Sequence, residues 1–196
     1  MDLVDNIKKI EQYLCENFEE WDLDDPIEEE YYAQYEGIKG ADEDQIRAFE
    51  QKFGICLPED VKALYRYKNG SRLFTLFPTL VRKSEFTFSL MSLEEIEDLK
   101  EHFQNKDALL EEFHEYFTLE DINRMKDPRI QPYLFHKEWI PFAQYCGSCY
   151  LMLDFAPDKA GKVGQIICYI HDPDEIVYVS ESMSALISEV IERLGL

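Results

Sequence analysis

The chain has 196 residues, of which 45% are hydrophobic and 14% aromatic, so it carries enough apolar side chains for one folded domain, and disorder of the whole chain is excluded. Its apolar runs are far shorter than the ~20 residues that a membrane-spanning helix requires. The formal net charge of −21 disfavours nucleic acid and anionic membranes as partners, because binding either depends on Lys and Arg residues that neutralise phosphates. The same charge favours rapid encounter with a basic protein, although solubility alone explains it equally well.

The first residues of the chain and its cysteines both indicate a reducing compartment. Residues 1–5 lack the basic stretch and apolar segment of a secretory signal, so we expect a cytoplasmic protein. An odd number of cysteines without an export signal is typical of free thiols. These cysteines are Cys15, Cys56, Cys146, Cys149 and Cys168.

The first thirty residues divide into a helix and an acidic connection. Residues 2–18 repeat apolar side chains at steps of three and four, which predicts an amphipathic helix. The stretch from Glu19 to Glu30 is so densely acidic that it repels itself, and we expect an exposed connection there. Trp21 and the tyrosines that follow indicate that this connection is partly held against the domain.

Two further helices are predicted before residue 70. Asp42 and Gln45 form a variant of the capping box at the start of the first, and Gly54 lies where a left-handed C-terminal cap belongs. Pro58 opens the next helix, because a missing N–H costs nothing in the first turn. The turn Asn69-Gly70 ends it.

Short strands and another helix are predicted in the middle of the chain. Residues 73–77 and 86–90 alternate apolar with polar side chains, which is typical of strands with one buried face. Ser92 and Glu95 form a capping box for a helix that runs to about Phe103.

The remainder of the chain is predicted to be mostly sheet. Residues 109–125 are helical in pattern, with a break at Thr118, which is itself a good N-cap. Four short strands follow, over residues 139–145, 150–155, 165–170 and 176–179. Their short connections predict antiparallel neighbours, and Ser182 caps a last helix. Helices before a meander of strands, with one helix after it, predict an α+β fold.

One cysteine pattern falls within the spacing of zinc sites, because Cys146-Gly-Ser-Cys149 is followed by Cys168 and His171. Strand geometry opposes such a site, since Cys168 and His171 point to opposite faces unless the strand ends at Ile170. The cysteine pair also opens a strand rather than a helix, which disfavours redox chemistry. We expect ordinary thiols and no cofactor, with structural zinc as the alternative.

Few residues suggest catalysis. Asp154, Asp172 and Glu181 could approach one another across the sheet as an acid–base cluster, although acidic side chains at strand ends are usually solvated. His171 lies at a strand end where a site could form, but a hydrogen bond that stabilises a turn is the simpler interpretation. The sequence contains no phosphate-binding loop, dinucleotide fingerprint or nucleophile elbow. We therefore expect a protein that is not an enzyme.

Two ordered sets of residues match a family pattern. The first set is Gly40-Ala41, Ile46, Phe49-Glu50, Leu57-Pro58, Leu64-Tyr65 and Asn69-Gly70. The second set is Trp139-Ile-Pro-Phe-Ala143, Leu153-Asp154 with Pro157, Gly164-Gln165-Ile166-Ile167, His171-Asp172, and the closing strand and helix from Val179 to Leu186. On these residues the chain resembles the SUKH superfamily, which includes Smi/Knr-like fungal cell-wall assembly regulators and many bacterial toxin-immunity proteins.

The resemblance covers residues 25–196 and implies a single α+β domain with a central, largely antiparallel sheet flanked by helices. Residues 1–24 lie outside it, as an N-terminal helix and the start of the acidic connection. The resemblance implies binding without catalysis and supplies no catalytic, cofactor or metal residues. The chain departs from the pattern at Cys146-Gly-Ser-Cys149, where members more often carry Gly, Asp or Asn, and in a longer, more acidic insert from Leu99 to Pro132.

The first functional hypothesis is a bacterial immunity protein that binds and neutralises a cognate toxin, such as a nuclease. We expect a basic toxin as the partner, because an acidic protein can fill a basic nucleic-acid site, and a monomer or weak dimer of the chain itself. The predicted contact surface is the acidic run with its aromatic anchors, although a solvated linker explains the run as well. Its residues are Trp21, Asp22, Asp24, Asp25, Glu28, Glu29, Glu30, Tyr31 and Tyr32.

The second hypothesis is a regulatory scaffold of the cell-wall assembly type, which holds several proteins together. The compact length of the chain argues against it, because scaffolding members tend to carry long disordered flanks.

Overall fold

The computed structural model describes residues 2–17 and 29–196. The helices in these ranges are α1 (Leu3–Glu16), α2 (Glu29–Glu36), α3 (Glu43–Phe53), α4 (Glu59–Tyr67), α5 (Leu93–Lys100), α6 (Leu119–Met125) and α7 (Met183–Leu194). The strands are β1 (Thr75–Val81), β2 (Ser84–Leu90), β3 (Ala108–Leu109), β4 (Tyr133–Phe135), β5 (Trp139–Tyr145), β6 (Cys149–Asp154), β7 (Gln165–Ile170) and β8 (Glu175–Ser180). Within the described ranges, every helix is too short or too polar to cross a membrane.

A six-stranded antiparallel sheet forms the centre of the molecule, in the order β1-β2-β5-β6-β7-β8. The sheet curls, so that its edge strands β1 and β8 approach each other. The predicted α+β fold with a central antiparallel sheet is confirmed, and so are the four C-terminal strands and their antiparallel pairing.

The helices α1, α4 and α7 pack together on the sheet. The helix α7 contacts α1 and α4 and crosses β1, β7 and β8. Three apolar side chains of α1, Ile7, Ile10 and Leu14, are completely buried. The first helix therefore belongs to the same core as the sheet, while the predicted boundary between residues 24 and 25 lies outside the described residues.

The predicted helix caps are confirmed where the sequence signals were local. The Asp42 carboxylate accepts hydrogen bonds from the backbone of Asp44 and Gln45, and Gly54 ends α3 in the left-handed conformation with φ 65°. Ser92 and Glu95 form a reciprocal capping box at the start of α5.

A long excursion between β2 and β5 covers one face of the sheet. The ring of Phe103 lies 4.8 Å from Tyr150 and 5.2 Å from Tyr169, two tyrosines that are paired across β6 and β7. The prediction of a helix from Leu109 is wrong up to Phe117. The chain there forms β3 and a 3₁₀ turn, because Leu109 pairs with Tyr133 in the β3–β4 ladder.

Two other expectations for secondary structure are wrong. The expected alternation along β1 is absent, since every residue of that strand except Leu80 is buried, including Thr79. Of the exposed connection predicted from Glu19 to Glu30, only Glu29 and Glu30 are described, and they form the start of the helix α2. Both errors come from tertiary packing, because β1 is covered on both faces and α2 lies on the core.

Candidate protein-binding surface

The helix α2 follows the acidic run and is fixed to the domain by a buried polar network. The hydroxyl of Tyr35 donates to the carboxylate of Glu11 on α1, and the hydroxyl of Tyr67 donates to the same carboxylate at 2.9 Å. The Lys68 ammonium donates to three backbone carbonyls, of Tyr35 at 3.2 Å, Glu36 at 3.0 Å and Ile38 at 2.9 Å. The C-terminal end of α2 is therefore capped by a buried cation.

The electrostatics of this network make its integrity dependent on protonation. Burial raises the pKa of Glu11, while the hydrogen bonds from Tyr35 and Tyr67 and the charge of Lys68 oppose that rise. Burial and the adjacent Glu11 carboxylate also raise the pKa of the Tyr35 hydroxyl, which keeps it a hydrogen-bond donor. The network holds α2 against α1 with every member paired.

The structure describes only part of the predicted contact surface. Trp21, Asp22, Asp24, Asp25 and Glu28 lie outside the described residues.

The described members of that surface occupy the first turn of α2 and differ in exposure. The helix begins at Glu29, and the side chain of Glu30 is exposed. Tyr31 and Tyr32 are half-buried and pack against the core, with the Tyr32 ring 5.4 Å from Phe74. These two tyrosines fasten α2 to the domain, so only part of each ring remains available to a partner.

A cysteine of α1 takes part in the same contact. The Tyr32 hydroxyl donates to the sulfur of Cys15, and burial raises the pKa of Cys15 to about 11 and that of Tyr32 to about 12. The Cys15 thiol is therefore protonated and inert at neutral pH.

A cleft of about 490 Å³ opens beside the C-terminal end of α2. It is lined by polar and small residues from three segments: Gln34, Gly37, Ile38, Asn69, Gly70, Arg72, Ser92 and Glu95. The sequence had indicated Asn69-Gly70 as a turn that ends a helix and as part of the family pattern. The structure places this turn between α2 and the start of α5, as one wall of the cleft.

The turn is held in place by both of its residues. The Asn69 side chain accepts from the backbone N–H of Leu93 at 2.9 Å and donates to the Glu94 carboxylate at 3.0 Å. Gly70 has a φ of 97°, and a Cβ at this position would lie 3.0 Å from the backbone nitrogen of Ser92. The wall of the cleft is therefore rigid.

A second signature glycine serves close packing. A Cβ at Gly40 would lie 1.7 Å from the carbonyl oxygen of Arg66, and the neighbouring Ala41 N–H donates to the carbonyl of Tyr65 at 2.8 Å. Gly40-Ala41 thus lies directly on the end of α4, which explains why the pair recurs with Leu64-Tyr65 in the pattern.

The C-terminal signature residues form a buried network on one face of the sheet. Trp139, Asp154 and Gln165 lie opposite one another across β5, β6 and β7. The Asp154 carboxylate accepts from the Trp139 indole at 3.0 Å, from Gln165 Nε2 at 2.8 Å and from the backbone of Ala156 at 2.9 Å. Gln165 Nε2 also donates to the carbonyl of Arg129 at 2.8 Å.

The carboxylates considered for acid–base chemistry have separate surroundings. Asp154 is completely buried, contrary to the expectation of a solvated strand end, and burial raises its pKa against the hydrogen bonds that it accepts. Glu181 is exposed and pairs with Lys162 at 2.5 Å, and Asp172 is exposed in the turn after β7. The three carboxylates share no hydrogen-bond partner.

The cysteine pattern is likewise divided. Cys149 and Cys168 are buried in the sheet, and Cys146 is exposed. His171 Nδ1 lies 2.8 Å from Asp174 Oδ1, as the simpler interpretation of that histidine predicted. Among residues 2–17 and 29–196, no three potential metal ligands from His, Cys, Asp or Glu gather closely enough to hold an ion.

The positive charges of the protein are largely neutralised within it. More than half of the 20 Lys and Arg residues form ion pairs with carboxylates, as Lys62 does with Glu50 at 2.8 Å. Lys68 and Lys100 are buried and donate to backbone carbonyls instead. The chain has 41 Asp and Glu residues, and most of those that the structure describes are exposed, so the surplus of carboxylates among them faces outward.

Comparison with known families agrees with the signature residues. The sequence model of the SMI1 / KNR4 family (SUKH-1) matches residues 40–189, which is more than half of the chain. The chain belongs to this SUKH-1 family. The match begins at Gly40, so α1 and α2 precede the matched region, and it includes both the cleft turn Asn69-Gly70 and the Asp154 network.

One curated relative is similar to the chain over a shorter stretch. The chain is 34% identical over 68 residues to "KNR4/SMI1 homolog 2" of the yeast Debaryomyces hansenii. The matched stretch is 34% of this chain and 11% of the relative, so the chain spans a small part of the relative's length.

Proposed function

We propose that this SUKH-1 protein is a bacterial immunity protein, which binds a cognate basic toxin such as a nuclease and neutralises it by contact. The observation that carries the proposal is the charge balance. Because most of the cations are engaged within the protein, the outward surplus of carboxylates is available to a positively charged partner. A nuclease toxin must keep a basic site for its substrate, and an acidic protein can occupy that site as a phosphate mimic.

The proposed role requires binding and no chemistry. Of the carboxylates considered for acid–base chemistry, Asp154 is buried and hydrogen-bonded, Glu181 is ion-paired, and Asp172 lies exposed in a turn apart from both. In this proposal the protein acts in the cytoplasm, as a monomer or weak dimer, without metal or cofactor. Neutralisation follows when the immunity protein covers the toxin's substrate site.

The proposed contact surface is the acidic run together with α2 and the adjoining cleft. The exposed Glu30 lies on α2, and Glu95 lines the cleft that α2 borders. The buried network of Glu11, Tyr35 and Lys68 supports this surface, since a helix that is already fixed loses little conformational freedom on binding.

A second candidate function is a regulatory or scaffold protein of the cell-wall assembly type. The observation that favours it is the curated yeast relative, "KNR4/SMI1 homolog 2". The two candidates differ in the number of partners, because an immunity protein meets one toxin and a scaffold holds several proteins.

Purification of the tagged chain from its own host, followed by mass spectrometry of co-purifying proteins, separates the two functions. One basic polypeptide at near-stoichiometric yield supports the immunity function. Several cytosolic proteins at lower yield support the scaffold. Recovery of no partner would contradict both.

A further inference from the structure

A second surface combines aromatic side chains with carboxylates. A groove of about 420 Å³ lies where the segment between β3 and α6 meets the turn between β7 and β8. One wall consists of Phe113, Tyr116 and Phe117, and residues 171–174 form the other. This groove belongs neither to the cleft beside α2 nor to the acidic run.

The aromatic wall is held in a fixed arrangement. The backbone N–H groups of Tyr116 and Phe117 both donate to the carbonyl of Phe113, at 2.9 and 3.0 Å. The ring of Phe113 packs on Phe135 at 6.0 Å, which anchors the turn to β4. Tyr116 is left 81% exposed, so its ring presents a face to solvent with no packing partner to displace.

The opposite wall is fixed as well. Asp174 accepts a hydrogen bond from the Tyr169 hydroxyl at 2.6 Å, and His171 lies 2.8 Å from the same carboxylate. Asp172 is exposed beside them. A groove with two pre-positioned walls binds a ligand with a small entropic loss.

Carboxylates predominate around the groove, although Lys126 pairs with Glu111 and Arg124 pairs with Asp121 at its margins. Between Lys106 and Arg124 the chain carries six carboxylates and no Lys or Arg. Of the carboxylates nearest the aromatic wall, Glu112 and Glu115 are exposed. The surroundings therefore attract cations and repel anions.

The exposure of apolar groups is concentrated here. Leu109, Tyr116 and Leu119 are three of the large hydrophobic side chains that the described part of the chain leaves exposed, and they lie within one short segment. Single exposed apolar residues are ordinary on a protein surface, but Tyr116 lines a groove together with Phe113 and Phe117 and carboxylates, a combination that is typical of an interaction site.

We propose that this groove binds an arginine side chain presented by a partner protein. The guanidinium lies against the exposed face of Tyr116, and the carboxylates of Asp172 and Asp174 accept its N–H groups. Arginine fits better than lysine, because its planar group stacks on an aromatic ring and donates in two directions at once. The identification of the partner as a toxin rests on the proposed function. The preference of the groove for arginine is independent of that function.

Fluorescence anisotropy with a labelled peptide of alternating arginine and glycine, titrated with the full chain at physiological salt, tests the proposal. Tyr116→Ala should weaken binding about 3- to 10-fold, the size of a cation–π contact. Val163→Ala, which removes a side chain that is 65% exposed outside the groove, is the matched control and should bind as the wild type does. Because both side chains are exposed, both variants should fold normally.

A second pair of variants separates the groove from diffuse charge attraction. Asp172→Asn and Asp98→Asn each remove one exposed carboxylate, in the groove and on α5 respectively. Loss of affinity in Asp172→Asn and Tyr116→Ala, but in neither control, supports the groove. Equal losses in Asp172→Asn and Asp98→Asn, unchanged binding by Tyr116→Ala, or no binding by the wild type would overturn it.

The outcome is distinguishable from that of the immunity function. If the chain binds the peptide through Tyr116 but recovers no toxin-like partner from its host, the groove proposal stands and the proposed function fails. If the Tyr116→Ala variant still binds a toxin with full affinity, the proposed function stands and the groove is not the site that binds the toxin's arginine.

Discussion

The indole Nε1 of Trp139 donates a hydrogen bond of 3.0 Å to Oδ1 of Asp154, across the neighbouring strands β5 and β6. Both side chains are completely buried. The second carboxylate oxygen accepts from Gln165 on β7, so one acidic group joins three strands. Trp139 and Gln165 lie 15 and 11 residues from Asp154 in sequence, but they flank it in the sheet. This proximity gives the family pattern a structural reason.

The hydrogen-bond directions at Asp154 predict the effect of Asp154→Asn. The new amide would face Gln165 Nε2, donor against donor, and Gln165 cannot rotate without losing its bonds to the Arg129 carbonyl and the Lys162 N–H. We expect a loss of about 1–3 kcal/mol in the free energy of unfolding, measured by urea denaturation.

Asp158→Asn in the following turn is the matched control, because that side chain accepts only from the neighbouring backbone of Lys159. It should change the free energy of unfolding by less than about 0.5 kcal/mol. Equal stability of Asp154→Asn and the wild type would show that the network contributes nothing.

The close approach of Gly40 to α4 predicts a severe effect of Gly40→Ala. The added methyl group would overlap the carbonyl oxygen of Arg66, so α4 and the segment that carries Gly40 must move apart. We expect the free energy of unfolding to fall by more than about 3 kcal/mol, measured by thermal or urea unfolding. Gly37→Ala is the matched control, since the nearest atom to its Cβ is the Gln34 carbonyl oxygen at 3.6 Å. A tolerated Gly40→Ala would contradict this account of the signature.

The raised pKa of Glu11 predicts a pH-dependent stability. In the folded chain the pKa of Glu11 lies above the ordinary value of 4.5 that applies in the unfolded chain, so the folded chain keeps this proton to a higher pH. The contribution of Glu11 to the free energy of unfolding is therefore full at low pH and is lost as the pH rises through the folded pKa. Glu11→Gln removes the titration. We therefore expect the stability difference between wild type and Glu11→Gln to shrink from about pH 4 to about pH 7.

Urea denaturation at several pH values measures this difference. The charges of Lys8 and Lys68 oppose the rise in the pKa of Glu11, so their effect is part of the difference that is measured. Glu16→Gln, which removes an exposed carboxylate from the same helix, controls for the loss of one charge. A difference that grows with pH would contradict the assigned direction.

The acidic run predicts a charge-specific loss of partner binding. We expect the double variant Asp24→Asn and Asp25→Asn to weaken the partner's affinity at least about 10-fold and to reduce its salt dependence, as loss of steering charges does. The double variant Asp98→Asn and Glu101→Gln makes the same change in net charge at two exposed residues at the end of α5, and it should bind nearly as the wild type does. Titration calorimetry at low and high salt gives both quantities. Equal losses in the two double variants would assign the binding to overall charge and not to the run.

Local signals in the sequence predicted much of the fold. The capping residues Asp42 and Ser92, and the turn residues between the C-terminal strands, act through neighbours within a few positions, so their effect can be read without knowing the fold. The antiparallel order of β5 to β8 follows from connections too short for any other arrangement.

Long-range contacts account for what the sequence did not predict. The helix α2 depends on Tyr35 meeting Glu11 and Lys68, residues that are remote along the chain, whereas the acidic sequence had assigned its first two residues to an exposed connection. Leu109 joins a strand because Tyr133 lies beside it, which no local pattern announces. The groove of Tyr116 was missed for the same reason, since its second wall comes from the turn after β7.

The most direct test of the central claim is neutralisation in cells. The basic polypeptide that co-purifies with this chain is expressed from an inducible promoter, alone or together with the chain, and viable cells are counted. The account predicts that the polypeptide alone kills the cells, and that the chain restores growth. Survival without the chain, or death despite equal amounts of it, would contradict the immunity function.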